Sequence, residues 1–171
     1  MAATGISAAS TVRIGNLIGK SDGINLSRSG KANFILALVV MTIFALTFVI
    51  VHDLAPRLYI DDPEVVQLAS TLIIVAGFFQ LSDGVHVVGL GSLRGMSDVR
   101  IPTVITLISY WGLAIPVSYV FGFVLGYGPQ GIWYGLCAGL TMAAILLYFR
   151  FVKLAKKQAL IFEKTQNQRN P

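Results

Sequence analysis

Charge is what this chain has least of. Only 12% of its 171 residues are Asp, Glu, Lys or Arg, against 55% that are apolar. A soluble domain carries about twice that share of charge, so the balance excludes a water-soluble globule and leaves an all-α, polytopic helical membrane protein. Cysteine is nearly absent: Cys137 alone rules out an intrachain disulfide and a cysteine-based zinc site. The two histidines, His52 and His86, are far apart in sequence, so no His/Asp/Glu cluster points to a metal, and no cofactor is read. The spans contain one carboxylate, Asp83, where an intramembrane aspartyl protease needs two sharing a site. No glycine-rich phosphate loop runs into a helix with a following Lys-Ser/Thr pair, and no repeated pore segment resembles a channel filter. Enzyme readings therefore have no residues to rest on. The start lacks a basic stretch leading into an apolar run, so no secretory signal is expected.

What is present is long apolar runs. Residues 1–20, rich in Gly and Ala and interrupted by Arg13, read as the end of a transmembrane helix passing into a loop, or alternatively as an interfacial amphipathic segment. Ala32 to Val51 is an uncharged run of 20 residues, the length a spanning helix needs. An acidic connector follows. Asp62 as N-cap, Pro63 at the first helical position and Glu64 behind it form a helix start signal. The third and fourth spans follow Pro102 and the turn Gly126–Gly131. Pro116 lies inside the third, where it should bend the helix. Gly135, Gly139 and Ala143 recur every four residues in the fourth, a close-packing face. The organisation expected is thus four full spans, at about 32–52, 64–93, 102–125 and 131–152, after the end of a fifth, with a basic tail over 153–171.

Lysine and arginine orient the array. Residues 13–31, 94–100 and 150–171 carry all of the 13 basic residues except Arg57. The positive-inside rule then places those segments and the C-terminus in the cytoplasm and the acidic connector outside. The net charge of +5 marks one membrane face, and no nucleic-acid partner is implied. Tyr119, Tyr127, Trp133 and Tyr134 fall near the outer interface and read as belt anchors.

Asp83 is the residue the array is organised around. A carboxylate at membrane depth costs about 2.5–3.5 kcal/mol on insertion scales, so such residues face a bundle interior or a wet cavity and are functional by default. Protonated it carries a releasable proton; ionised it can bind Na⁺ or a cationic ligand. Gln80 and His86 flank it three residues to either side. Each also has a plainer reading, as an interhelical polar contact and as a hydrogen-bonded packing residue. Phe78, Phe79, Tyr110 and Trp111 are candidates to line a cavity for planar cations; packing or lipid contact is the alternative for each.

Several stretches together resemble the multidrug and toxic compound extrusion (MATE) transporters of the NorM-like bacterial branch. Ala8 to Asn16 is similar to the end of that family's eighth helix, and Asp62 to Val65 to the start of its tenth. Gln80-Leu-Ser-Asp83-Gly with Leu93-Arg94-Gly95, Asp98, Arg100 and Pro102 resembles the tenth helix and the loop after it. Ser109-Tyr110-Trp111 with Pro116 resembles the eleventh, and Gly128 to Trp133 the twelfth. The resemblance implies a cation-coupled (H⁺ or Na⁺) antiporter that exports organic cations, drugs or toxins across the bacterial inner membrane. It places Asp83 at the tenth-helix aspartate of cation coupling or substrate binding. Some members carry a tyrosine where this chain has Phe79. The family's chains are more than twice as long, so the resemblance also implies a C-terminal fragment, inactive alone, whose partner is the missing N-terminal lobe. A related lipid-linked precursor flippase, and a non-transporting membrane subunit or remnant, are the alternatives.

Overall fold

A computed structural model describes the backbone of residues 1–169 and the side chains of residues 1–165; the last two residues of the expected 153–171 tail lie outside the described residues. The described residues are helical, with no strand. They form α1 (Ala2–Gly19), α2 (Gly23–Val51), the single turn α3 (Leu54–Arg57), α4 (Pro63–Gly95), α5 (Arg100–Val124) and α6 (Gly128–Arg169). The chain is all-α as expected, and α2, α4, α5 and α6 are each long and apolar enough to cross a membrane.

The start of α4 forms as its residues dictate. Asp62 accepts hydrogen bonds from the backbone N–H of Glu64 (2.9 Å) and Val65 (3.4 Å), and Pro63 fills the position whose N–H would have no partner. An equivalent cap lengthens α2 beyond its apolar run. Asp22 accepts from Asn25 N–H at 3.0 Å, so the helix begins at Gly23 and carries Arg28 and Lys31 in its early turns. In the first segment α1 runs unbroken through Arg13 to Gly19, and a short turn at residues 20–22 leads into α2. The guanidinium of Arg13 donates to the Ser29 hydroxyl at 3.0 Å, which lets the charge sit on a helix instead of ending it.

α4 is the central element, with α1, α2 and α6 packed around it. Their cross-contacts set directions. Ser7 meets Val87, Thr11 meets Gly91, and Gly15 lies against Gly95, so α1 runs parallel to the second half of α4. Phe34 of α2 lies edge-on to Tyr148 (5.1 Å) and Phe151 (5.6 Å) of α6, while Gly23 meets Ala159, so α2 and α6 are antiparallel. The core of Ile14, Leu26, Phe34, Val88, Leu93, Leu147 and Phe151 gathers where these four helices converge, at the end carrying Arg94 and Arg150, the basic end. A buried knot crosses it: Ser10 is 2.7 Å from Ser92 and accepts from Asn33 Nδ2 at 2.7 Å, joining α1, α4 and α2.

α5 lies on the glycine ridge of α6. Gly135 faces Ser118 and Gly139 faces Ala114, so the two backbones approach where any side chain would hold them apart. Pro116 removes one helical hydrogen bond, and α5 takes wider, π-type turns on both sides, at Ser109–Ala114 and Val120–Val124. The turn into α6 uses Gly126 and Gly128 at φ of 73° and 57°, values that favour glycine. α6 does not stop at Val152 but continues to Arg169. Its 42 residues span about 63 Å at 1.5 Å per residue, far more than a bilayer core.

Candidate functional site

Asp83 lies at mid-length on α4, half-buried. The neighbours of α4 define the direction it faces. α1 covers the side of Val87 and Gly91, α2 the side of Gly77 and Gly84, and α6 the side of Gly89. α5 attaches at His86. With about 100° of turn per residue, Asp83 falls between the α1 and α5 contacts, on the line that also carries Leu90 and Arg94. Among the described residues the ion pairs are His52–Asp53 (3.4 Å) and Arg150–Asp98 (2.8 Å), so no described cation pairs with Asp83.

The flanking candidates separate into different roles. The carboxylate of Asp83 is within electrostatic reach of His86 and of Tyr110. His86 is only 8% exposed, and its Nε2 lies 3.2 Å from the Thr106 hydroxyl of α5. That hydroxyl donates its own proton to Pro102 O at 3.0 Å, which leaves Nε2 as donor to Thr106. His86 thus ties α5 to α4 beside the carboxylate. Gln80 is half-buried one turn before Asp83. Phe79 forms a T-shaped pair with Trp133 of α6, ring centroids 5.7 Å apart, so the ring is engaged in an interhelical contact. Phe78 is 65% exposed on the outside of the bundle.

Tyr110 and Trp111 lie along a groove. A groove of about 400 Å³ runs between α4 and α5, walled by Leu90, Thr106, Leu107, Tyr110 and Trp111, with Arg94 and Asp98 at its basic end. It lies on the Asp83 side of α4. Leu90 is seven residues beyond Asp83, about 10 Å along the axis. At that end Arg150 of α6 donates to Asp98 at 2.8 Å and pins the α4–α5 loop.

Some polar structure escaped the sequence reading. The Ser10–Ser92–Asn33 knot and the Asp98–Arg150 pair join residues too far apart in sequence for spacing to reveal. The one usable signal was Ser7, Ser10 and Thr11 at helical spacing in α1, a polar stripe on a small-residue helix.

Comparison with known proteins finds the MatE family model matching residues 1–120. A probable multidrug resistance protein NorM of Xanthomonas campestris pv. campestris is 38% identical over 153 residues, 90% of this chain and 33% of that protein. A protein of the same description from Xylella fastidiosa is 40% identical over 147 residues, covering 86% and 31%. The multidrug resistance protein MdtK of Photorhabdus laumondii is 37% identical over 149 residues, covering 85% and 33%. The chain spans about a third of the length of these relatives. Among solved structures, the eukaryotic MATE transporter AtDTX14 superposes with a TM-score of 0.80 at 19% identity, covering 94% of this chain and 37% of that one. An inward-facing multidrug resistance MATE family transporter superposes with a TM-score of 0.76 at 22% identity, covering 86% and 33%.

Proposed function

The chain belongs to the MatE family, and from that premise we propose that it supplies the C-terminal helices of a cation-coupled multidrug efflux antiporter, with Asp83 as the residue that exchanges the coupling ion for an organic cation. The observation that carries the reading is Asp83 itself: a carboxylate at membrane depth, without a described cation, on the side of α4 left between α1 and α5. Multidrug resistance is what the names of the relatives state; for this chain it is the proposal. Exchange follows from charge. One carboxylate neutralised by H⁺ or Na⁺ in one state and by a drug cation in the other cannot hold both at full strength, so each displaces the other.

The roles of the neighbours follow from their contacts. His86 keeps α5 against α4, so movement of α5 is felt beside Asp83. Gln80 offers an amide to the bound ion. Tyr110 and Trp111 present aromatic surface to a planar cation. Phe79, held by Trp133, supports the wall from behind. The protein is a transporter rather than an enzyme, multi-pass in the bacterial inner membrane, with its basic end and C-terminus in the cytoplasm. It works together with an N-terminal lobe and is inactive without one.

Ethidium efflux in cells stripped of their own pumps tests this in three arms: the chain alone, the chain with a matching N-terminal lobe, and that pair carrying Asp83→Asn. Efflux in the paired arm only, lost with Asp83→Asn, is the expected result. Efflux that survives the substitution overturns the role given to Asp83. No efflux from the pair, with both parts found in the membrane, overturns the transporter reading in favour of a non-transporting subunit.

A further inference from the structure

The side of the bundle facing away from Asp83 carries a second feature. Two cavities lie between α2 and α6. One, about 580 Å³, is apolar and lined by Ile35, Leu38, Val85, Ile145 and Phe149, among others. The other, about 490 Å³, lies toward the basic end and is lined by Ile24, Ser27, Arg28, Lys156 and Leu160. On α2, Ile24, Arg28, Ile35 and Leu38 fall on one helical face. On α6, Ile145, Phe149, Lys156 and Leu160 do the same. Because α2 and α6 are antiparallel, the two cavities follow one another along the seam between these helices, with Lys31 on the same face of α2 between them. Arg28 and Ile35 are seven residues apart, about 10 Å along the helix, which is room for a glycerol linkage and the first methylenes of an acyl chain.

We propose that this groove binds one anionic phospholipid from the leaflet at the basic end, its phosphate between Arg28, Lys156 and the Ser27 hydroxyl and an acyl chain against Ile35, Leu38, Ile145 and Phe149. Charge complementarity identifies the occupant. Two cations and a hydroxyl line the cavity at the basic end, and the next cavity along the same helices is lined by apolar side chains that are 44–64% exposed. The positive-inside bias accounts for basic residues at this end, but not for their placement beside an apolar slot. Nor does it account for the close approach of Gly23 to Ala159 that forms the floor. Glu163, also on the wall, lies seven residues beyond Lys156, about 10 Å further toward solvent, where screening blunts its repulsion of the phosphate. The site is independent of Asp83, because α4 reaches the groove through Leu81, Ser82 and Val85, on its opposite side.

Native mass spectrometry of the purified chain, with phosphatidylglycerol or phosphatidylcholine of matched acyl chains, tests the proposal. Wild type should retain one phosphatidylglycerol in preference to phosphatidylcholine. Each basic residue near the headgroups is worth about fivefold, so Arg28→Gln/Lys156→Gln should lower that retention roughly tenfold or more. The charge-matched control Lys20→Gln/Lys164→Gln should leave it within about twofold, and Arg28→Lys/Lys156→Arg should preserve it. If the double Gln variant loses helicity by circular dichroism, Lys156→Gln alone serves, with a loss of about fivefold expected. Equal retention of the two lipids overturns the proposal. So does an equal loss in the control, or displacement of the lipid by millimolar inorganic phosphate.

Discussion

At the scale of the residue, Asp83 and His86 make opposed demands on the same turn of α4. In the proposed exchange Asp83 needs a partner that can leave; His86 has one, Thr106, that should stay. Replacing His86 by Ala leaves the Thr106 acceptor side unpaired in a buried place and should cost about 1–3 kcal/mol, read as a lower melting temperature in detergent. His86→Gln, which can still donate, should recover most of it. Recovery with Gln alongside unchanged efflux is the outcome expected of a cross-link, whereas a proton relay would lose transport in both variants. A pH effect belongs to Asp22, at the basic end. The Asn25 side-chain and backbone hydrogen bonds lower its pKa below the usual 3.8. A depressed carboxylate stabilises above its unfolded value, and that support is lost as pH falls through the folded value. The first turn of α2 should therefore fray only below pH 3.8, seen as faster amide exchange at Asn25 and Leu26, with no change near neutrality.

At the scale of the element, the sequence reading succeeded where the local signal was strong. The Asp62-Pro63-Glu64 start set the beginning of α4, and Arg94-Gly95 its end, because caps and N-terminal proline act within one turn. It fell short where helices outrun their apolar stretch. Charged and polar residues interrupt the apolar pattern from Gly23 to Lys31 and from Lys153 to Arg169, yet both stretches are helix. α2 has a cap, and α6 has Gly23 packed on Ala159 and Phe151 and Ala155 in the core. The candidate site was legible as an aspartate with helical neighbours. That Phe79 faces Trp133 while Tyr110 and Trp111 face a groove was not, since those directions depend on tertiary packing. The α5–α6 interface gives a direct test. Gly135→Leu places a side chain where Ser118 sits and should destabilise by about 1–3 kcal/mol through overpacking, with α5 displaced. Gly5→Leu, in open space, should have little effect.

At the scale of the whole molecule, the two long faces of α4 are covered differently. One, with Asp83, Leu90 and the α4–α5 groove, turns toward the side not covered by α2 or α6. The other turns through α2 and α6 toward lipid. On this account a matching N-terminal lobe closes the Asp83 side and leaves the lipid groove untouched. Accessibility labelling of Trp111→Cys should fall when the lobe is co-expressed, while labelling of Ile35→Cys should not change. The central claim is exchange at Asp83. Its most direct measurement is ethidium binding by the chain paired with its lobe, followed by fluorescence anisotropy while Na⁺ or pH is varied. A charge-assisted contact is worth about 1.5–3 kcal/mol, so Asp83→Asn should weaken dye binding about tenfold or more. It should also abolish the competition by Na⁺ or H⁺ seen in the wild type. An Asp83→Asn variant that still binds dye in full, and still releases it to the same ion, would contradict the account.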